Sequence, residues 1–145
     1  MSKTDKPLSS RSWQASVRVV EEFLKTRRKL DTLFSQFTKD VDGNVSRRVQ
    51  YLTYGVVRNL GRLQWCLNSS VRNPPKKRLQ AILLVAMFEW SEAKDENQPQ
   101  VVHYAVEQAK ELLSKPESRF VNAVLRTFPT LETRKIEFED SPKSL

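Results

Sequence analysis

Eight basic side chains, Arg47, Arg48, Arg58, Arg62, Arg72, Lys76, Lys77 and Arg78, follow one another between Asp42 and Glu89 with no carboxylate among them. The formal net charge of the chain is +8, so everything outside this stretch sums to neutral. Like charges on one helical surface repel, and a solvated helix normally interleaves its signs. A one-signed stretch of this length points to an anionic partner, of which nucleic acid is the commonest. The chemistry these residues supply is phosphate capture. Tyr51, Tyr54 and Trp65 alternate with Arg58 and Arg62 at helical spacing. That order would also give a stacking platform for unpaired bases. Aromatic stripes at this spacing more often pack. The rings are therefore expected first in a core, with Tyr54 and Trp65 buried, and second on an RNA surface.

Other chemistry is poorly supplied. A structural zinc site needs four Cys or His ligands, and the chain has only His103 and Cys66. His103 has no Asp or Ser spaced for catalysis and reads as a surface residue at a helix start. Cys66 follows Trp65 in a helical pattern and reads as a packed thiol. Phosphate-cradling loops need clustered glycines, whereas Gly43, Gly55 and Gly61 are scattered. The expectation is a non-enzyme with no catalytic residue, no metal and no cofactor. A single cysteine excludes an internal disulfide and fits a reducing, cytoplasmic setting. No membrane association is expected. The longest apolar run, residues 81–88, is far too short to span a bilayer, and residues 1–10 lack an apolar signal-peptide core.

The elements that must position these residues are helices. At 145 residues and 39% hydrophobic content the chain can bury one real core, and the apolar periodicity is helical almost throughout. A first helix over 12–25 gathers Trp13, Val17, Val20 and Leu24 on one face, with Phe23 beside them and Arg11, Arg18 and Lys25 on another stripe. A short helix holds Leu30, Leu33, Phe34 and Phe37. Asp42-Gly43-Asn44 reads as a turn, with Asn44 or Ser46 as N-cap of the longest helix, over 45–71. On that helix Val45, Val49, Leu52, Val56, Leu60, Leu63 and Leu67 fall within an arc of about 80°. Asn73-Pro74-Pro75 ends it and starts a helix over 75–93 that is apolar nearly all round and should be central. Residues 94–98 are a polar loop, followed by helices over 99–113 and 116–128. The pattern stops at Pro129. The expected organisation is a disordered N-terminus over 1–10, an all-α domain over 11–128 and a flexible tail or linker stub over 129–145.

Several of these segments carry a family pattern. Ala105-Val106-Glu107-Gln108-Ala109-Lys110, then Phe120-Val121-Asn122-Ala123-Val124-Leu125-Arg126, resembles the "EAVELAK" and "FVNAVLR" helices of the NusB-like domain. Leu52-Thr53-Tyr54-Gly55-Val56-Val57-Arg58 resembles its "LVYGVLR" helix. That wording is closer to the N-terminal domain of ribosomal-RNA cytosine-5 methyltransferases than to free-standing NusB. Ile82 to Trp90 is similar to "LRLGAYEL". The resemblance covers roughly residues 11–128. It implies an all-α bundle of two packed three-helix subdomains and RNA binding, in transcription antitermination or in ribosomal-RNA recognition. Two places differ. The arginine-rich "RRxAR" opening of free-standing NusB reads Arg11-Ser12-Trp13-Gln14-Ala15-Ser16 here, and the Asn-Glu start of the "EAVELAK" helix reads His103-Tyr104.

The candidate RNA-binding residues are Arg11, Arg18, Arg47, Arg48, Arg58, Arg62, Lys76, Lys77 and Arg78. Arg47-Arg48 and Lys76-Lys77-Arg78 stand out because cations at a helix start oppose the macrodipole, which suggests a use beyond local stability. Asn122, an amide inside an apolar helix, is expected to hydrogen-bond a neighbouring element. The partner is expected to be single-stranded or ribosomal RNA. The resemblance adds a small ribosomal protein or another transcription factor, and a second copy of the chain is a further candidate. Two alternatives stay open: the substrate-binding N-terminal domain, or a relic, of a ribosomal-RNA cytosine-5 methyltransferase, and a protein–protein scaffold or dimerisation module. The methyltransferase chemistry itself needs a cofactor domain and two cysteines that this chain lacks.

Overall fold

Ten consecutive residues, Leu79 to Phe88, are all buried, and the rest of the molecule is arranged around them. The computed structural model describes residues 8–139. Its elements are α1 (Leu8–Thr26), α2 (Leu30–Phe37), α3 (Gly43–Arg58), α4 (Leu60–Ser70), α5 (Lys77–Glu92), a 3-10 turn (Asp95–Asn97), α6 (Gln98–Leu112) and α7 (Lys115–Glu139). Among the described residues there is no strand. No described helix is long and apolar enough to cross a membrane. The fold is all-α, with α1–α3 forming one half and α4–α7 the other.

The buried run belongs to α5, which touches α1, α3, α4, α6 and α7. A helix surrounded on all sides must be apolar on all sides, and in this run only Gln80, which donates to the Pro75 carbonyl, is polar. The main core joins it to Trp13, Val17, Val20 and Leu24 of α1, to Leu52 and Val56 of α3, and to Val121, Leu125 and Phe128 of α7. A smaller cluster of Val19, Leu33, Val45 and Val49 ties α2 to α1 and α3. Gly55 lets α3 and α5 approach closely: a Cβ there would lie 2.1 Å from Cζ of the Phe88 ring. Cys66 is fully buried.

The single helix expected over 45–71 is two helices. Asn59 closes α3 with φ −106° and ψ 18°, and its side-chain Nδ2 donates to the Gly55 carbonyl at 2.8 Å. An asparagine amide competes for carbonyls in this way and interrupts the ladder. Beyond the break α4 leaves α1 and packs on α7 and α5. The N-cap of α3 is Asp42, two residues before Asn44 and four before Ser46, the two caps expected. Its carboxylate accepts from the backbone N–H groups of Asn44 at 2.9 Å and Val45 at 3.0 Å.

At the far end α7 starts with a capping box. Ser114 N–H and Oγ each donate to Glu117 at 3.0 Å, and Glu117 N–H returns to Ser114 Oγ at 3.4 Å. The helix does not stop at Phe128; it carries Pro129 inside it and runs to Glu139. A proline inside a helix removes one ladder bond but does not forbid continuation. At the start, α1 begins at Leu8 rather than residue 12. Of the expected terminal segments, residues 1–7 and 140–145 lie outside the described residues. Asn122 is half-buried on α7 and makes no side-chain hydrogen bond among the described residues.

Candidate nucleic-acid interface

The basic stretch has no acid within it, but the fold brings acids to it. Arg48 pairs with Glu89 of α5. Arg78 Nε lies 3.2 Å from Glu21 of α1, which also holds Lys25 at 3.0 Å. Lys76 Nζ lies 2.7 Å from Glu117 of α7. Three of the cations expected to stand unopposed therefore have carboxylate partners at residues outside the stretch, on α5, α1 and α7.

These pairs tie helices together. Glu89 is 11% exposed, and Trp13 Nε1 of α1 donates to it at 2.7 Å. Burial pushes its carboxyl above the usual range, with Arg48 and Trp13 pulling the other way. Burial also pushes Glu21 up, but hydrogen bonds and charge from Lys25 and Arg78 outweigh it and hold that carboxyl low. Glu117 is held down to about 2, first by Lys76 and then by its Ser114 cap. Arg48, Lys76 and Arg78 remain about half exposed, at 46%, 56% and 51% of their side chains, so each keeps donors facing solvent.

The other candidates fall in three places. Arg47, exposed at the start of α3, donates to Asn44. Lys77 begins α5, and Arg58 ends α3, both exposed and, among the described residues, in no ion pair. Arg62 is half-buried on α4. Arg11 and Arg18 lie on the exposed stripe of α1, opposite its buried Trp13–Val17–Val20 face, and the Arg18 guanidinium stacks 5.0 Å from the Phe37 ring centroid.

The aromatics divide differently from the sequence expectation. Trp65 is not in the core but 39% exposed, and Tyr51 is 44% exposed. Tyr54 is half-buried, edge-on to Phe34 at 5.9 Å, and its hydroxyl donates to Asp31. Burial pushes that phenol up to about 12, with Asp31 adding to the rise. The break at Asn59 also cuts the expected stripe in two. Tyr51, Tyr54 and Arg58 line a surface groove of ≈ 440 Å³ between α3 and α5, together with Gln50, Phe88 and Glu92, and Arg62 and Trp65 are not among its lining residues. The Tyr51 ring packs 5.3 Å from Phe88, and Arg48 lies over it at 5.4 Å.

The residues that pattern reading missed here are Gln50, Phe88 and Glu92. Phe88 ends the apolar run 81–88 and is 4% exposed, yet it lines the groove. Glu92 gave one signal: with Glu89 it is where acids resume after the basic stretch. A second cavity of ≈ 400 Å³ lies at the turn between α6 and α7, lined by Lys110, Leu113, Lys115, Ser118 and Arg119. Its cations fall outside residues 43–88.

The NusB family model matches residues 36–129, from the end of α2 to Pro129. The matched span contains both halves of the groove and leaves α1 outside it. No curated protein matches the chain.

Proposed function

Since the chain belongs to the NusB family, we propose that it is a non-catalytic RNA-binding helical module, acting in transcription antitermination or in ribosomal-RNA recognition. The observation that carries this reading is the presence on α3 and α5 of exposed cations with no carboxylate partner among the described residues, Arg47, Arg58 and Lys77, together with the half-exposed ring of Tyr51. Cations supply sequence-independent phosphate affinity, and an exposed ring offers a face to unstacked bases. Arg48, Lys76 and Arg78 serve in two ways: each anchors a helix through its carboxylate and presents its remaining donors outward. A small ribosomal protein, another transcription factor or a second copy of the chain would meet a different surface.

Fluorescence anisotropy with labelled single-stranded RNA tests the proposal. Binding should weaken linearly in log affinity against log salt, with a slope of about −0.7 for each phosphate neutralised on a single strand. Three to five contacts would give a slope of about −2 to −3.5. A flat response, or no binding at low salt, overturns it. The two settings have separate readouts. An antitermination factor changes read-through at a terminator in a transcription assay, and a ribosomal-RNA-recognition domain binds a ribosomal-RNA fragment without that effect.

A further inference from the structure

Glu92 is out of place on an RNA surface. It is the last residue of α5, where a negative charge opposes the helix macrodipole, and it would repel any phosphate entering the groove. Its neighbour Glu89 is neutralised by Arg48, but Glu92 has no ion pair among the described residues. It lines instead the α3–α5 groove that Arg58 also lines. Its charge lies near the Tyr51 hydroxyl and, after burial, helps push that phenol up. The same two residues also line the small adjoining cavity with Arg48 and Glu89. The carboxylate is exposed and forms part of the groove lining.

A carboxylate only accepts hydrogen bonds, so what it can recognise is a group with donors. Among the bases, guanine alone offers two adjacent donors on its Watson–Crick edge, N1–H and the N2 amino group. Adenine and cytosine place an acceptor nitrogen beside their amino group, and uracil flanks its single N–H with carbonyls; each would set a lone pair against the anion. The groove's ≈ 440 Å³ lies within the range of about 300–1,000 Å³ that holds small-molecule-sized groups. Aromatic surface from Tyr51, Tyr54 and Phe88 lines one part of it, and the Arg58 guanidinium lies at the other end of the α3 wall. These are the parts required to stack a base, read its edge and hold its phosphate.

We propose that the α3–α5 groove is a single-nucleotide subsite that selects an unpaired guanine, with Tyr51 as stacking surface, Glu92 as acceptor for the guanine N1–H and N2 amino group, and Arg58 as phosphate contact. This rests on the RNA-binding reading above and adds to it a base preference that phosphate contacts cannot supply.

The test uses the full chain and five labelled RNA 12-mers: all-uridine, and the same oligomer with one central guanosine, inosine, adenosine or cytidine. The guanosine oligomer should bind about tenfold more tightly than all-uridine, the size of one good two-point base contact. Inosine, which keeps N1–H and lacks the amino group, should fall between them. Glu92→Gln should bind all-uridine more tightly, because an anion has gone, and should lose the guanosine preference. Tyr51→Phe, which keeps the ring and removes the hydroxyl beside Glu92, should reduce that preference. Equal binding of all five oligomers by the native chain overturns the subsite and leaves the RNA-binding reading standing. So does a guanosine preference that survives Glu92→Gln. Failure of every oligomer to bind at low salt overturns both.

Discussion

Gly55 has no side chain because Phe88 occupies the space. A Cβ at this position would come within 2.1 to 2.6 Å of three atoms of that ring, and the ring, 4% exposed, has nowhere to swing. Gly55→Ala should therefore destabilise the fold by about 1–3 kcal/mol through overpacking, read as a lower midpoint in urea with an unchanged slope. It should also spread α3 from α5 and so disturb the groove. Glu117 supports a prediction about acid. Its carboxyl is held down to about 2 by Lys76 and Ser114, below its unfolded value of about 4.5. A depressed acid contributes stability that is present above the unfolded value and lost as pH falls towards the folded one. Thermal midpoints followed from pH 5 down to pH 2 should thus fall more steeply for the native chain than for Glu117→Gln; parallel curves would show that the Lys76 pair carries no linkage. Glu89 acts with the opposite sign. Its carboxyl is raised by burial, so its contribution grows as pH drops through its folded value and is complete below the unfolded one, before most of the loss from Glu117 sets in.

At the scale of elements, α3 depends on Asp42. Its carboxylate satisfies two N–H groups of the first turn, and helix starts leave four such donors unpaired. Asp42→Ala should cost about 1 kcal/mol, measured by chemical denaturation, and Asp42→Asn should restore most of it. The apolar stripes of the helices were legible from sequence because burial imposes a period. Trp13, Val17, Val20 and Leu24 face the core as their spacing requires, and the all-apolar α5 is central. The Asn59 break was not legible for the same reason. Val45 to Leu67 keep one continuous stripe, but α3 buries its part against α1 and α5, and α4 buries its part against α7. One stripe can serve two neighbours, and periodicity does not say how many there are. The passage of α7 through Pro129 was missed because fading periodicity and a proline both signal an end, while neither forbids the backbone from continuing.

Across the whole molecule, charge in sequence and charge in space differ. The cations of residues 43–88 were legible by type, and so was the family that displays them. Their pairings were not, since Arg48 and Glu89 are 41 residues apart and Arg78 and Glu21 are 57 apart. Long-range pairing divides the basic stretch into cations that hold the two halves together and cations that remain for a partner, and adjacent residues fall on opposite sides of that division. Lys77→Ala and Arg78→Ala make the contrast within one turn of α5. Lys77 has no ion pair among the described residues, so its removal should weaken RNA binding and make the salt slope shallower by about 0.7, with the thermal midpoint unchanged. Arg78 binds Glu21 across to α1. Its removal should cost stability as well, by about 0.2–1 kcal/mol for a half-exposed pair, and should release Glu21 to titrate nearer its ordinary value. Anisotropy and calorimetry on the two variants separate these effects. Equal stability losses would mean that the Glu21 pair holds nothing, and equal affinities for native and Lys77→Ala chains would remove the start of α5 from the RNA surface.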